Sequence, residues 1–300
     1  MSKKSALQNG IEAALARIVV FKLEYLPRPV ADWAGRCCGR ILDLAVPRLR
    51  KTAETNLTFA FPEHDAAWRR QTIDGIFRSI GRMLVAFARF PRINRTNVSH
   101  WIRYEGFEHF EKAKAAGKGV LFATAHLGNW ELSAFSHALM AEPMSVVVRP
   151  LDNPLIDRMV ETRRALSGNQ LLSKRDFARS ILHALRANQA VGVLVDQNSA
   201  MENAAFLPFF GKLACTNLSF ARIAARSGAG VIPGFAVWDE TERRYVLRFY
   251  PAIEMTGEPV EDTQRIQASL EAAIREYPDQ WLWIHRRWKT RPPGEDNLYR

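Results

Sequence analysis

Long uninterrupted apolar runs are missing from this chain. Its two longest charge-free stretches, Gly119–Trp130 and Ser227–Trp238, are twelve residues each. A membrane-spanning helix needs roughly 18–20 apolar residues. Cysteine is scarce: Cys37, Cys38 and Cys215 are the three present, two of them adjacent. They make no disulfide framework, and a reducing compartment is expected. The N-terminus opens with two lysines but has neither the apolar core nor the small-residue cleavage site of a signal peptide, so it is expected to be retained, in the cytosol. No Gly-x-Gly-x-x-Gly loop, Gly-Lys-Ser/Thr loop or Gly-x-Ser-x-Gly elbow occurs, which argues against a nucleotide enzyme and the usual serine hydrolase. The seven histidines fall into no His-Glu-x-x-His or Cys-x₂-Cys spacing, so no metal is expected.

Positive charge, by contrast, is abundant. Forty-two Lys+Arg against 31 Asp+Glu leave +11, with pI ≈ 9.9. Such a chain is drawn to polyanions: nucleic acid, acidic lipid headgroups, or a phosphorylated or acidic substrate. Composition does not choose among them. At 300 residues, 47% hydrophobic and 24% charged, the chain has ordinary globular composition and can bury a sizeable core. Disorder, collagen and coiled coil are excluded.

Residues 1–90 read as all-helical. Ile11, Ala14, Leu15, Ile18 and Val19 are at helical spacing within Ile11–Leu26, which Pro27 and Pro29 stop. Arg17, Lys22 and Glu24 interrupt its apolar face, which suits a helix lying on protein or in a membrane interface. Helices are expected at about Val30–Leu49 and Asp65–Phe90, with a connector ending at Pro62 between them. After Pro91, short apolar runs alternate with helical patterns: Val120–Ala125, Ser145–Val148, Ala190–Val195 and Val231–Val237 as strands, with helices between. That alternation predicts a mixed α/β domain over 91–300, a largely parallel sheet flanked by helices and integrated with the helical N-terminal segment. Tyr245–Tyr250 reads as an antiparallel edge strand and Asp262–Glu276 as a closing helix.

Three apolar strands end in polar clusters. The first closes on His126, Gly128, Asn129 and Glu131, the second on Arg149, Asp152 and Asn153, the third on Asp196, Gln197 and Asn198. Ligands bind in crevices at the carboxyl ends of strands in open α/β sheets. His126 and Glu131 are five apart, off one face of a straight helix, but a turn between them would return the carboxylate to the imidazole. A histidine so held is a general base, worth roughly 10²–10⁴ in rate. The same residues also suit a helix cap and a buried, satisfied histidine. A fourth cluster, residues 280–292, interleaves tryptophans with His285, Arg286, Arg287, Lys289 and Arg291. It fits a phosphate-bearing or nucleic-acid ligand, a membrane interface, or a solvated basic face beside core tryptophans.

Taken together, these segments resemble the bacterial lipid A biosynthesis acyltransferases, which add secondary acyl chains to lipid A precursors, with phosphatidylinositol mannoside acyltransferases as relatives. The resemblance covers nearly the whole chain. It rests on HisLeuGlyAsnTrpGlu (126–131), ArgProLeuAspAsnPro (149–154), AspGlnAsn (196–198), PhePheGlyLysLeuAlaCysThr (209–216) and TrpIleHisArgArgTrpLysThrArgPro (283–292). The first fits the family's His-x₄-Asp/Glu motif.

The resemblance implies an α/β fold with a helical membrane-associating segment, and roles for particular residues. His126 is the implied general base on the acceptor hydroxyl, with Glu131 supporting it. Asp196 matches an acidic position that sets the histidine's state. Arg149 matches an arginine holding acceptor phosphate or developing charge. Asn129, Asn153 and Gln197 are expected as site walls, and Arg286, Arg287 and Lys289 as substrate-binding cations. The implied donor is a thioester of acyl carrier protein or coenzyme A, with no cofactor, and the acceptor a glycolipid hydroxyl. Arg149 or backbone amides near Gly128 are candidates to hold the oxyanion. Family members commonly begin with a transmembrane-like helix. Here Arg17, Lys22 and Glu24 break that stretch, favouring peripheral attachment to an anionic surface on the cytoplasmic face of the inner membrane. The same chemistry on another glycolipid or phospholipid, and a non-enzymatic basic membrane-surface or nucleic-acid-binding protein, are the alternatives. Intact His126, Glu131 and Asp196 weigh against the latter, so no nucleic acid is expected.

Overall fold

The computed structural model describes residues 5–173 and 177–299. Four helices come first: α1 (Ala6–Tyr25), α2 (Arg28–Ala45), α3 (Pro47–Ala60) and α4 (Ala66–Ala88). Their ends are specified locally. Ser5 and Gln8 form a capping box at the start of α1, and the Asp65 side chain accepts from the Trp68 N–H to cap α4. Pro47 occupies the first position of α3, where its missing N–H is no loss. The expected connector is therefore mostly helix, because Pro47 starts a helix there instead of ending one.

Helices α2 and α4 touch backbone to backbone. A Cβ on Gly39 would lie 2.2 Å from the Phe77 carbonyl oxygen, and one on Gly81 would lie 2.3 Å from that of Gly35. Only hydrogen fits at these positions. Ala31 of α2 and Val85 and Ala88 of α4 pack alongside, with Val20 and Leu23 of α1.

The rest of the chain builds a seven-stranded sheet in the order β1-β9-β8-β2-β5-β3-β4. Five strands are parallel: β2 (Val120–Thr124), β3 (Ser145–Val148), β4 (Gln170–Ser173), β5 (Ala190–Leu194) and β8 (Gly230–Asp239). The antiparallel partner of β8 is β9 (Arg244–Phe249), and β1 (Ile102–Glu105) runs parallel to β9 outside it. The Tyr245–Tyr250 stretch is thus antiparallel as expected, but β1 covers it, so it is not the edge. A hairpin of β6 (Ala204–Phe209) and β7 (Lys212–Asn217) stands apart. β1, β4 and this hairpin were not expected. β6 contains Pro208, which reads against a strand.

Helices α5 (Phe107–Ala115), α6 (Trp130–Met140), α7 (Pro154–Ala165), α8 (Phe177–Arg186), α9 (Ser219–Ser227) and α10 (Pro259–Glu276) complete the chain. The pleat divides β2 between two cores. Leu121 and Ala123 join Ile181 of α8, Ile223 of α9 and Leu270 of α10 on one face. Val120 and Phe122 join Phe110 of α5 and Phe135 of α6 on the other. Burial on both faces is why these strands read as continuous apolar runs.

The α2–α4 contact yields a prediction. Gly39→Leu forces side-chain volume against a backbone carbonyl, an overpacking that costs about 1–3 kcal/mol and lowers the melting temperature by roughly 2–10 °C. Calorimetry showing an unchanged melting temperature would mean the helices have room to part.

Candidate active site

Strands β2 and β5 are paired with Thr124 opposite Leu194. Two residues past each lie His126 and Asp196, so the parallel register itself sets the imidazole beside the carboxylate. His126 Nδ1 is 2.8 Å from Asp196 Oδ1. The His126 backbone N–H donates to Asp196 Oδ2 at 2.8 Å, and the Trp281 indole N–H donates to the same oxygen at 2.7 Å. An ionised carboxylate only accepts, so the proton sits on Nδ1 and the lone pair on Nε2. That nitrogen faces the Gln197 side-chain amide, with Nε2 to Nε2 3.2 Å. The Trp130 ring meets the imidazole edge-on at 4.8 Å.

Burial opposes charge on Asp196. The His126 charge and hydrogen bond, with the His126 backbone and Trp281 donors, outweigh it and hold its pKa at about 2. Burial likewise opposes the His126 cation. Asp196, by charge and by hydrogen bond, more than offsets it, with Glu131 adding a weaker push, so the imidazole pKa is raised above 6.5.

Glu131 lies elsewhere than the spacing suggested. It sits in the first turn of α6 and forms a two-pronged pair with Arg164 of α7, whose Nε is 2.8 Å from Oε2. Its carboxylate makes no bond to His126, because Asp196 already fills that position. Gly128 makes the tight turn between them at φ +64, and a Cβ there would lie 2.0 Å from the Ala236 carbonyl oxygen. The Gly128 N–H donates to the Gln280 carbonyl at 2.9 Å and the Asn129 N–H to that of Ala236 at 2.8 Å. Both amides are spent within the fold, which removes them as oxyanion donors.

The remaining expected residues separate into two groups. Arg149 and Gln197, together with His126, Glu131 and Arg164, line one cavity of about 1400 Å³. Arg149 is exposed at the end of β3, with no ion pair among the described residues. Asn129 and Asn153 are not walls of that cavity. Asn129 is buried, and its side chain accepts from the Leu132 N–H to cap α6. Asn153 caps α7 at the Leu155 N–H, and its amide donates to the Asn9 carbonyl at 3.0 Å and to Glu12, tying α1 down. Residues 280–292 do not form a ligand-facing stripe either. Trp281, Trp283 and Trp288 are core residues, and Arg287 is buried with them, donating to the Cys215 carbonyl at 2.8 Å and to Thr216 Oγ1 at 2.6 Å. Burial lowers its pKa to about 10. Arg286 and Lys289 are exposed beyond the cavity, Arg286 over the Tyr299 ring.

Two members of the site escaped the sequence, and a third, His285, was placed only in the basic aromatic stripe. Arg164 lies 33 residues from its partner, and Trp281 lies 85 from Asp196, too far for any spacing rule. His285 Nε2 accepts from the Asn198 N–H at 3.2 Å, and burial lowers its pKa to about 4, leaving it neutral. Among the described residues no group of three His, Cys, Asp or Glu is placed to hold a metal.

Away from its polar end the cavity is apolar. Val19 and Val20 of α1, Met83 and Phe87 of α4, Phe177 and Ile181 of α8, and Phe220 and Ile223 of α9 contribute walls. A His–Asp pair on a buried carboxylate, its Nε2 lone pair opening on a largely apolar cavity that Arg149 and Arg164 also line, can take a proton from a hydroxyl and accept a long hydrocarbon.

The family model described as bacterial lipid A biosynthesis acyltransferase matches residues 2–290. The chain is similar to the lipid A biosynthesis palmitoleoyltransferase of Escherichia coli (strain K12), 32% identical over 91% of this chain and 90% of that protein. It is also similar to the lauroyltransferase of the same organism, 28% identical over 94% and 92%. A lipid A biosynthesis acyltransferase of Haemophilus influenzae is 26% identical over 91% and 86%. This chain belongs to the bacterial lipid A biosynthesis acyltransferases, a family of O-acyltransferases.

Proposed function

We propose that this protein transfers a fatty acyl group from a thioester, carried by acyl carrier protein or coenzyme A, to a hydroxyl of a lipid A precursor, with His126 as general base. The observation that carries this reading is the lone pair of His126 Nε2, oriented by Asp196 and opening on a largely apolar cavity that Arg149 and Arg164 also line. The acceptor hydroxyl displaces the Gln197 amide and gives its proton to Nε2. Its oxygen attacks the thioester carbonyl carbon, and the C=O electron pair moves onto oxygen. Arg149 faces the resulting oxyanion or an acceptor phosphate. Collapse of the tetrahedral adduct breaks the C–S bond, and the departing thiolate takes the proton from the imidazolium. No acyl-enzyme is required. Cys215 is buried and its thiol pKa is pushed up by burial, and Cys37 and Cys38 are on α2, so none serves as nucleophile.

Peripheral attachment to the inner membrane completes the proposal. No helix among the described residues is long and apolar enough to cross a bilayer. On α1 the outward side chains Leu7, Ile11, Leu15, Ile18, Phe21 and Tyr25 are exposed, Leu7 by 74%; on α2 Trp33, Ile41 and Leu44 are exposed by 60% or more. These exposed apolar side chains, interspersed with Arg17, Lys22, Arg36 and Arg40, suit an interfacial position on an anionic leaflet at the cytoplasmic face. The inner faces of the same helix α1, at Ala16, Val19 and Val20, form a cavity wall, so an acceptor held in the leaflet lies beside the site.

His126→Ala, given labelled acyl carrier protein thioester and a tetra-acylated lipid A precursor, is expected to transfer at least a hundredfold more slowly than wild type, with the fold checked by circular dichroism. A folded variant working at the wild-type rate would remove the general base. A wild-type protein inert toward this acceptor would remove the acceptor.

The pH profile gives a second check. The base acts when neutral, so kcat/KM rises with pH through a midpoint above 6.5, where Asp196 holds it. In Asp196→Asn the burial that favours the neutral ring is opposed only by the weaker push of Glu131, so the midpoint falls below 6.5. The maximal rate drops about 10²–10⁴-fold as the ring loses its anchor. In the folding equilibrium, the raised His126 pKa contributes stability below pH 6.5 that is lost as pH rises through its folded value. Identical pH midpoints in the two proteins would exclude coupling between Asp196 and the base.

A further inference from the structure

Several arginines of this protein pair with carboxylates from other elements. Arg50 binds Asp43 and Asp74, Arg103 binds Glu242, and Arg163 binds Glu24. Helix α10 satisfies its own carboxylates, Glu261 with Arg265 and Glu271 with Arg275. Against this background, α8 and α9 differ. They pack side by side on one face of the sheet, and neither sequence, PheAlaArgSerIleLeuHisAlaLeuArg or SerPheAlaArgIleAlaAlaArgSer, contains an acidic residue. Arg179 and Arg186 are seven apart on α8, Arg222 and Arg226 four apart on α9, and all four are exposed. At those spacings each pair shares one helix face. Among the described residues none of the four has a carboxylate partner; Arg222 bonds only the Asn203 side-chain oxygen, at 2.8 Å. The Lys118 side chain lies beside Gly228, where α9 ends, and extends the row.

The inner faces of these two helices are walls of the catalytic cavity, through Phe177 and Ile181 and through Phe220 and Ile223. Ser219, one turn before Arg222, also lines it. An unneutralised cationic face is thus one helix thickness from the site. We propose that the outer face of α8 and α9 docks an acidic carrier protein bearing the acyl thioester. This rests on the acyl-transfer reading above and adds to it a seat for the donor.

Charge and composition favour a protein over a bilayer here. The exposed apolar residues suited to a membrane are on α1 and α2, whereas none of the large exposed hydrophobics is on α8 or α9. Cations without apolar anchors attract a charged partner, speed its encounter and release it readily. A donor that unloads and leaves at every turnover needs that behaviour.

The test compares Arg222→Glu/Arg226→Glu and Arg179→Glu/Arg186→Glu with wild type, using acyl carrier protein thioester and the uncharged acyl-pantetheine thioester as donors. The KM for the carrier thioester is expected to rise at least tenfold in either variant, with kcat at saturation within twofold of wild type. The steep salt dependence of that KM in wild type should flatten. Rates with acyl-pantetheine should stay unchanged. An unchanged carrier KM would overturn the proposal. So would an equal loss with both donors, since the helices would then serve only as cavity walls, or a loss of binding to anionic phospholipid vesicles with carrier KM unaltered. The alanine pair Arg222→Ala/Arg226→Ala, with the melting temperature followed, supplies a folded variant if charge reversal disturbs the helix; its carrier KM is expected to rise at least threefold, and no rise would overturn the proposal. Wild type inert toward both donors would instead overturn the acyl-transfer reading, a result distinct from active variants with an unaltered carrier KM.

Discussion

A single buried carboxylate organises the centre of this molecule. Asp196 is out of water and ionised, a state that a protein interior tolerates only when the charge is fully met by donors. Three donors meet it, and they come from two distant stretches of chain: the ring and backbone of His126 after β2, and the indole of Trp281 near the C-terminus. Remove the carboxylate and these stretches lose their common anchor. The donors that make the charge tolerable also define the chemistry, since the same bonds choose the tautomer of His126 and point its lone pair outward.

The polar framework around this centre is largely structural. Asn129 and Asn153 hold helix starts, the amides of Gly128 and Asn129 hold the turn, and Arg287 fills the interior beside three tryptophans. The polar residues that line the cavity include His126, Glu131 with Arg164, Arg149 and Gln197. Glu131 influences the imidazole through space while its bonds go to α7, so the two carboxylates near His126 have different tasks. One anchors the ring, and the other anchors a helix that carries the cavity wall.

Much of this was legible from the residues. Val120–Ala125 and Ala190–Val195 announced buried parallel strands by their apolar continuity, and the polar residues closing them marked the crevice. His126 and Asp196 were found for that reason. The partner of His126 was harder, because Glu131 is near in sequence while Asp196 is near only through the register of β2 and β5. Pro47 shows the ambiguity of a helix breaker that is also a helix starter. The inward turn of Arg287 was hidden because a basic residue among aromatics looks the same on a surface and in a core. Only the neighbours Cys215, Thr216 and Gln267, remote in sequence, distinguish the two.

The lacing of residues 280–282 onto the His126 turn has a consequence for the order in which the protein becomes competent. Gln280 accepts the Gly128 N–H, Leu282 donates its N–H to the His126 carbonyl, and Trp281 completes the shell of Asp196. All three are made more than eighty residues after Asp196. A nascent chain holding His126 and Asp196 therefore lacks the third donor and the backbone brace, and its dyad is unfinished. Competence of the dyad thus waits on residues 280–282.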